Sequence, residues 1–461
     1  MWGASLPERR VSDRVSRAMK GAHKPGTESP HRSSAPVRHG RVPKQERSAQ
    51  RRKLIADAAI AVIAQHGIAS VTHRRVAETA GVSLAATTYY YKTKAEIIAV
   101  ASAQLLAGYV DAFRRFTERH RADSETSFRD FVIQILANAT GKHRTGTLAW
   151  CEIILDGARH PDTRSLTRAW FARLGEVWGD IARFLGAREP DETARSAIDA
   201  VIGLLFIVVP LGLKESQITA VFRNGVDPHK SWRPPGSNAP GAKAVAESAS
   251  KVRKSQVTRE KILAATIALL QEEGASAVTY RAIAERAGMA ATAPIYYFPS
   301  IDALLQAAQV RLFENSKDRY RLVMSGVDAG SIDVARLADL TATVFMREAT
   351  EFGAVSLADF PVRLEAARQK SIRPTVWNVI DTQNQAWGRL LQPLSRSPRA
   401  LDALLMQALF VGKLVRLLAI GATPRDLRDI RAEFFGDLQA LARGRHWTSS
   451  PVKVVRKLKN R

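Results

Sequence analysis

The stretch THRRVAETAGVSLAATTYYYKTK, residues 72–94, decides the fold of this chain. Its first half places Val76 and Ala80 on one face of a predicted helix. Gly81 then ends that helix, because glycine adopts positive φ without steric cost. Ser83 is a good N-cap for a second short helix. Two short helices around a glycine turn form a helix-turn-helix, whose second helix lies in the major groove of DNA.

A third helix is predicted just before this motif. Residues 52–65 carry Ile55, Ala59, Val62 and Ile63 at helical spacing, which gives the segment one apolar face. This face can pack on the two short helices, so we expect a three-helix domain, called a head below.

The first head resembles the DNA-binding domain of TetR-family bacterial transcription regulators. The residues that carry the resemblance are Gly67, Thr72, Val76, Ala77, Ala80, Gly81, Val82, Ser83, Tyr90, Tyr91, Lys94 and Ile97. The resemblance implies an all-α fold, in which the head is followed by a helical bundle that often holds a small-molecule pocket. It also implies that bundles pair through their last two helices.

The net charge indicates which class of partner the chain binds, and the cysteine content indicates the redox state of its compartment. The chain has 461 residues, enough for two to four domains, and its net charge of +25 favours DNA or an anionic membrane surface as partner. Its single cysteine, Cys151, excludes an internal disulfide and favours a reducing compartment.

Targeting and membrane signals are weak. Residues 1–17 contain several arginines without the apolar core of a signal peptide. The longest apolar run, residues 200–213, is too short for a membrane span and contains Pro210, so it predicts a buried helix. We therefore expect a cytoplasmic protein with no membrane partner.

The head pattern begins again in the second half of the chain. Residues 258–305 align with the first head without a gap, at one constant offset. The matched residues of the second head are Gly274, Thr279, Arg281, Ala284, Glu285, Ala287, Gly288, Tyr296 and Tyr297. Further matches are Ala158–Arg159 with Ala367–Arg368, Gly203 with Gly412, and Gly212 with Gly421. We interpret the chain as a tandem duplication of a whole regulator, since the period is far longer than that of solenoid repeats.

The repeat divides the chain into domains. The predicted order is a disordered basic tail over 1–46, the first head over 47–107, the first effector and pairing bundle over 108–222, a linker over 223–254, the second head over 255–314, the second bundle over 315–445 and a basic tail over 446–461. The region around the linker, rich in Pro, Gly and Ser, predicts a flexible coil with an end-to-end distance of about 30–35 Å. The N-terminal tail could follow DNA phosphates, with a merely solvated tail as the alternative.

The resemblance assigns DNA contacts residue by residue. Phosphate contacts fall to the helix caps Thr72 and Thr279 and to Tyr90, Lys94 and Tyr297. Base reading falls to Leu84, Ala85, Thr87 and Thr88 in the first head, and to Ala291, Thr292, Ala293 and Ile295 in the second. The remaining predicted DNA-binding residues are Arg74, Ser83, Tyr89, Arg281 and Tyr296. Packing between helices is the alternative for each tyrosine.

The second head departs from the family pattern at three positions. Ala290 replaces the capping serine, a loss of about 1 kcal/mol. Pro294 replaces a threonine within the first turn, where proline costs little. Ile301 replaces the lysine at the phosphate-contact position. These changes favour a weaker or altered DNA reader, and a fully working one remains the alternative.

The bundles suggest an effector site and a pairing surface. Trp150, Trp170 and Trp178 are predicted to line a pocket for an apolar or aromatic small molecule, with simple core packing as the alternative. The apolar segments Ala197–Leu213 and Leu404–Ile420 are expected to pair the two copies within one chain, because such surfaces are rarely left exposed. A homodimer of whole chains is the rival arrangement.

These features favour a sequence-specific DNA-binding regulator of transcription, ligand-responsive and usually a repressor in this family, with double-stranded DNA as partner. The alternative is an architectural DNA-binding protein without effector response. The sequence contains no spaced His/Cys metal set, no Gly-rich phosphate loop and no nucleophile elbow. We therefore predict no catalytic residues, no metal, no cofactor and no enzyme activity.

Overall fold

The computed structural model describes residues 44–120, 126–237, 249–325, 332–395, 399–444 and 446–448. Over these residues the regular structure is helical throughout, which confirms the predicted all-α fold. The chain divides into two units, residues 1–47 and residues 48–461. Of the first unit, only Lys44–Arg47 is described, as the start of a helix. The rest of the predicted N-terminal tail lies outside the described residues.

The first copy contains a three-helix head and a bundle. Its head consists of α1 (Lys44–His66), α2 (His73–Ala80) and α3 (Leu84–Tyr90). Its bundle consists of α4 (Lys94–Arg119), α5 (Phe128–Thr140), α6 (Arg144–Arg159), α7 (Arg164–Phe184), α8 (Pro190–Leu211), α9 (Glu215–Asn224) and the short α10 (Pro228–Ser231). Helix α4 runs from the head into the bundle, so it joins the two mechanically.

The second copy repeats this plan. Its head consists of α11 (Ala249–Glu272), α12 (Tyr280–Ala287) and α13 (Ala293–Tyr297). Its bundle consists of α14 (Ile301–Met324), α15 (Val334–Thr350), α16 (Gly353–Leu357), α17 (Asp359–Arg368), α18 (Arg373–Leu391), α19 (Ala400–Ile420), α20 (Pro424–Arg428) and α21 (Ile430–Ala442).

One difference between the bundles is a broken helix. Helix α6 is continuous, whereas its counterpart in the second copy is split into α16 and α17. Pro361 explains the break, because proline lacks an amide hydrogen and its ring clashes with the carbonyl group four residues earlier. That carbonyl belongs to Leu357, where α16 ends.

Three of the described helices are long and apolar enough to cross a membrane by length and composition alone: α4, α8 and α19. The apolar run 200–213 is shorter than a membrane span, but the helix that contains most of it, α8, begins at Pro190 and is long enough. Of the 18-residue apolar stretch in each helix, 89% is buried inside the protein in α8 and 78% in α19, against 28% in α4. Helices α8 and α19 pack on each other in the core, as the buried-helix prediction requires.

The predicted coil between the copies is only partly a coil. Trp232 is 1% exposed, and its indole Nε1 donates to the backbone oxygen of Gln217 at 3.1 Å. His229 pairs with Asp381 of the second bundle. Residues 227–232 are therefore held against the bundles, and α11 begins at Ala249, so the reach calculated for a long coil does not apply. Residues 238–248 lie outside the described residues.

The start of the predicted C-terminal tail is also packed. His446 and Thr448 are buried, and the Trp447 ring lies 6.1 Å from the Phe128 ring of the first bundle. Burial lowers the pKa of His446 to about 3, with Arg399 acting in the same direction, so its imidazole is neutral near pH 7. Residues 449–461 lie outside the described residues.

Candidate nucleic-acid interface and effector cavities

The helix-turn-helix of the first head is fixed by caps and a glycine. Thr72 Oγ1 accepts a hydrogen bond from the Arg75 amide at 3.1 Å, and Ser83 Oγ accepts one from the Ala86 amide at 3.1 Å. Gly81 ends α2 with φ of 66°, a left-handed conformation that favours glycine. The predicted caps and turn are thus present, and they set the direction in which α3 leaves the turn.

The exposed face of α3 carries most of the predicted base-reading residues. Leu84 is 51% exposed, and Ala85 and Thr88 are also exposed. Thr87 is fully buried, and its Oγ1 donates to the Leu84 backbone oxygen at 2.8 Å. In this structure the Thr87 side chain therefore packs towards the head core and presents no surface to a base edge. The DNA contacts of the others remain predictions.

Predicted phosphate contacts surround this face. Tyr89 is 81% exposed, while Tyr90 is half-buried, with the Arg52 guanidinium 5.6 Å from its ring centre. Exposed Lys94 begins α4, and its Nζ donates to the Ala69 backbone oxygen at 3.4 Å. Exposed Arg74 pairs with Glu78 at 3.0 Å. Such a solvent-exposed pair is worth little, so a phosphate can replace the carboxylate at low cost.

The second head has a shorter reading helix. Thr279 Oγ1 accepts from the Ala282 amide at 3.1 Å, so the first cap is kept. Helix α13 has 5 residues against 7 in α3, and its N-cap Thr292 makes no side-chain cap hydrogen bond. Pro294 is buried in its first turn, as Thr87 is in the first head. Loss of the serine cap at Ala290 is the physical reason for the later start.

The predicted DNA residues of the second head are mostly exposed. Tyr296 is 86% exposed, and the exposed set also contains Arg281, Ala291 and Thr292. Ala293 and Tyr297 are half-buried. Because Ile301 is half-buried where the first head has an exposed lysine, this surface lacks that cation.

A buried arginine ties the second bundle to the first head, and sequence reasoning missed it. Arg368 Nε donates to the Ala64 backbone oxygen at 2.9 Å, and Nη2 donates to that of Ile63 at 3.3 Å. The same Nη2 lies 2.8 Å from Glu152 Oε1. These carbonyl groups belong to the last turn of α1, where a cation is favourable. The repeated Ala-Arg dipeptide was the available signal.

The equivalent arginine of the first copy has no such partners. Arg159 is half-buried, and its buried Nε and Nη2 have no hydrogen-bond partner among the described residues. Burial lowers its pKa, although Glu152 and Asp156 oppose this. The second copy has Pro361 at the position equivalent to Glu152, so the first head is held more firmly than the second.

Replacement of Arg368 tests whether the first head is held more firmly than the second. Arg368→Gln is expected to lower the free energy of unfolding by about 3 kcal/mol, because it leaves Glu152 buried without its cation. Hydrogen exchange should increase in the last turn of α1. The matched control is Arg159→Gln, which should cost under about 1 kcal/mol, since it breaks no hydrogen bond at Nε or Nη2. Equal losses in the two variants would contradict the unequal anchoring.

A cavity of about 300 Å³ lies among α4–α8 of the first bundle. Trp150, Trp170 and Trp178 line it, so the three predicted tryptophans do meet at one cavity. Trp170 Nε1 donates to Ser102 Oγ at 2.7 Å. The Nε1 atoms of Trp150 and Trp178 are buried without a hydrogen-bond partner. A buried donor without a partner costs free energy.

A second cavity of about 250 Å³ lies at the equivalent place in the second bundle, among α14–α19. It is lined by Trp387 at the position of Trp178, together with the ion pair of Arg319 and Glu348. No group of three His, Cys, Asp or Glu side chains that could hold a metal ion occurs among the described residues.

Comparison with known proteins agrees with this architecture. The family model "Bacterial regulatory proteins, tetR family" matches residues 55–101 and 262–308, and "Tetracyclin repressor-like, C-terminal domain" matches residues 123–227 and 333–440. A TetR-family member from Streptomyces coelicolor A3 is 32% identical, with 37% of this chain and 95% of that chain covered and a TM-score of 0.30. The multidrug binding protein EbrR, complexed with imidazole, is 30% identical, with 39% and 94% covered and a TM-score of 0.31. No curated protein matches the chain.

A helix-turn-helix head followed by a helical bundle, present twice, defines a DNA-binding transcription regulator built by tandem duplication. The chain belongs to the TetR family.

Proposed function

We propose that this regulator is a ligand-responsive repressor whose two copies pair within one chain. The observation that carries the proposal is the packing of α8 on α19 beside two cavities. One chain then presents two unequal heads to one DNA site. An architectural DNA binder without effector response is less well supported, because each bundle retains a cavity of effector size.

The close approach of α8 and α19 supports pairing. A Cβ atom on Gly203 would lie 1.9 Å from the Ala408 backbone oxygen, and one on Gly412 would lie 1.7 Å from the Asp199 backbone oxygen. The two glycines occupy equivalent positions in the repeat. The helices therefore cross backbone to backbone about a local twofold axis, which is the geometry of a paired interface.

A buried ionic network favours pairing of unlike copies. Asp199 of α8 is fully buried, 3.2 Å from Lys413 Nζ and 2.6 Å from Arg416 Nε on α19. Burial opposes ionisation of Asp199, but the two cations outweigh it and hold the carboxyl pKa below its usual value. Burial likewise opposes the charge on Lys413, but Asp437, Asp199 and Glu433 raise its pKa.

This network has no counterpart on the other side of the local twofold axis. The positions equivalent to Asp199, Lys413 and Arg416 are Ala408, Leu204 and Ile207. If two first copies paired, each Asp199 would be buried against aliphatic side chains, which is costly for an unpaired charge. Pairing of a first with a second copy avoids this cost. The second copy of the same chain is present at an effective concentration on the order of millimolar.

The path of α4 supports a response to ligand. This helix starts at the head with Lys94 and lines the first cavity with Tyr109, Phe113 and Phe116. Helix α6 lines the same cavity with Trp150, two residues before the carboxylate that holds Arg368. A ligand that prefers shifted positions of these helices would change the head spacing and release DNA. We also infer a cytoplasmic location for this regulator.

Selection of bound sequences from random DNA, followed by a metabolite screen, tests the function. The selected site should be an imperfect palindrome with unlike halves, because the two reading helices differ. A compound that quenches tryptophan fluorescence should also lower the affinity for that site. Sites without sequence preference, together with a screen in which no compound changes DNA affinity, would favour the architectural alternative.

A further inference from the structure

The two cavities occupy equivalent places, but their walls differ in chemistry. Four apolar wall residues of the first cavity are replaced by polar or charged residues in the second. The replacements are Ala112 by Arg319, Trp150 by Asp359, Leu174 by Gln383, and Ile198 by Gln407. Duplication therefore gave two cavities whose walls now favour different ligands.

Among the described residues that line the first cavity, the side chains that are charged near pH 7 are basic. Arg115, Arg119 and Lys142 lie at its exposed mouth with His143, and no carboxylate of the described residues lines it. Partial burial lowers the pKa of His143, and the charges of Lys142 and Arg115 act in the same direction. These cations crowd one another, and an anion at the mouth would relieve that repulsion.

Two of the tryptophans that line the first cavity have buried indole N–H groups without a hydrogen-bond partner among the described residues. Trp150 and Trp178 are 5% and 3% exposed, and their Nε1 groups have no acceptor among the described residues. A buried donor without an acceptor costs free energy, but these two atoms are closed off from water, so a ligand oxygen reaches them only if the rings shift. The surrounding wall is aromatic and aliphatic, so most of the ligand surface must be apolar.

The charged side chains of the second cavity lie beside opposite charges, although the buried Nη1 of Arg363 has no hydrogen-bond partner among the described residues. Glu348, 2% exposed, accepts from Arg319 Nε at 2.8 Å, and Asp359 lies 2.5 Å from Arg363 Nε. Exposed Glu351 stands at the sequence position of Lys142, outside the lining of the second cavity. Two acids balance two bases in this wall, so an organic anion gains no net attraction there and would have to desolvate its carboxylate beside buried acids.

We propose that the first cavity binds an organic anion with an apolar body, and that the second cavity excludes this ligand. This inference names the ligand class of the proposed repressor, and the anion acts as an effector only if that proposed function holds. One chain with duplicated bundles therefore binds one such anion. The effector class is an aliphatic or aromatic carboxylate whose acidic group faces the basic mouth.

Calorimetry on the whole chain tests this inference with three probes that share one tail: octanoate, 1-octanol and octylamine. Octanoate should bind at one site per chain, roughly tenfold more tightly than 1-octanol, and the affinity should fall as salt rises. Octylamine should bind most weakly. Equal affinities for octanoate and octylamine, two equivalent octanoate sites, or no octanoate binding up to millimolar concentration would overturn the proposal.

Matched variants assign the site. Lys142→Gln should weaken octanoate binding about threefold and leave 1-octanol binding unchanged, whereas Glu351→Gln at the equivalent position should not weaken it. Leu205→Trp fills the first cavity and should abolish octanoate binding, whereas Leu414→Trp fills the second and should not. The reverse pattern would overturn the assignment.

DNA binding is measured separately, so that the two proposals can fail independently. If octanoate binds the first cavity but leaves operator affinity unchanged, the anion site stands and the ligand-responsive repressor does not. If octanoate fails to bind while another compound releases DNA, the repressor stands and the anion site does not.

Discussion

Replacing Gly203 by leucine is expected to separate α8 from α19 and to abolish tight DNA binding. A Cβ atom at this position would lie 1.9 Å from a backbone oxygen, which no side-chain rotation relieves. Overpacking in a core costs typically 1–3 kcal/mol, and a clash with backbone falls at the upper end of that range or beyond. Loss of pairing would leave the heads without a fixed spacing. Thermal unfolding and operator affinity are the two measurements.

The control for this variant is Gly175→Leu on α7, where an added Cβ meets nothing within 4 Å. This control should leave the thermal unfolding temperature and the operator affinity nearly unchanged. Gly203→Ala is a milder variant that retains the Cβ clash, in case the leucine variant does not fold. If Gly203→Ala and Gly203→Leu both bind operator within twofold of the parent, the interface is not where α8 and α19 cross.

A second large loss of DNA affinity is expected when phosphate-contact residues of the first head are changed. Changing Tyr90 and Lys94 together to alanine should weaken DNA binding roughly 100-fold and flatten its dependence on salt, because each lost phosphate contact removes about 0.9 from the logarithmic slope. The loss should be similar on all sequences, since phosphate contacts carry no base information. Fluorescence anisotropy over a salt series measures both quantities.

The matched change in the second head, Tyr297 and Ile301 to alanine, should cost much less. That head has a shorter reading helix without a side-chain cap, and it has isoleucine in place of the lysine. If this double change abolishes binding while the first is silent, the ranking of the heads is reversed.

The local signals in the sequence were sufficient to predict the heads. Thr72 and Ser83 cap the predicted helices, and Gly81 adopts the positive φ that the turn requires. These features depend on a few neighbouring atoms, so spacing and residue type define them. The burial of Thr87 is different, because it depends on how α3 rotates against the core. Pro294 at the equivalent position, a residue with no side-chain donor, was the overlooked signal.

Contacts between distant segments could not be read in the same way. The three tryptophans were predicted to line a cavity, and they do, but the cavity exists because five helices leave space between them. The anchor at Arg368 joins the second bundle to the first head, and the repeated Ala-Arg dipeptide marks the residue without indicating its partners. The packing of Trp232 was missed because proline and glycine around it have the composition of a coil.

The mass of the particle in solution tests the central claim of pairing within one chain. Light scattering at low micromolar concentration should give the mass of one chain, 50.6 kDa, for the free protein. In the complex with DNA, one chain should bind each operator, and the two halves of that operator should differ in sequence. A two-chain mass together with a symmetric operator would contradict the claim.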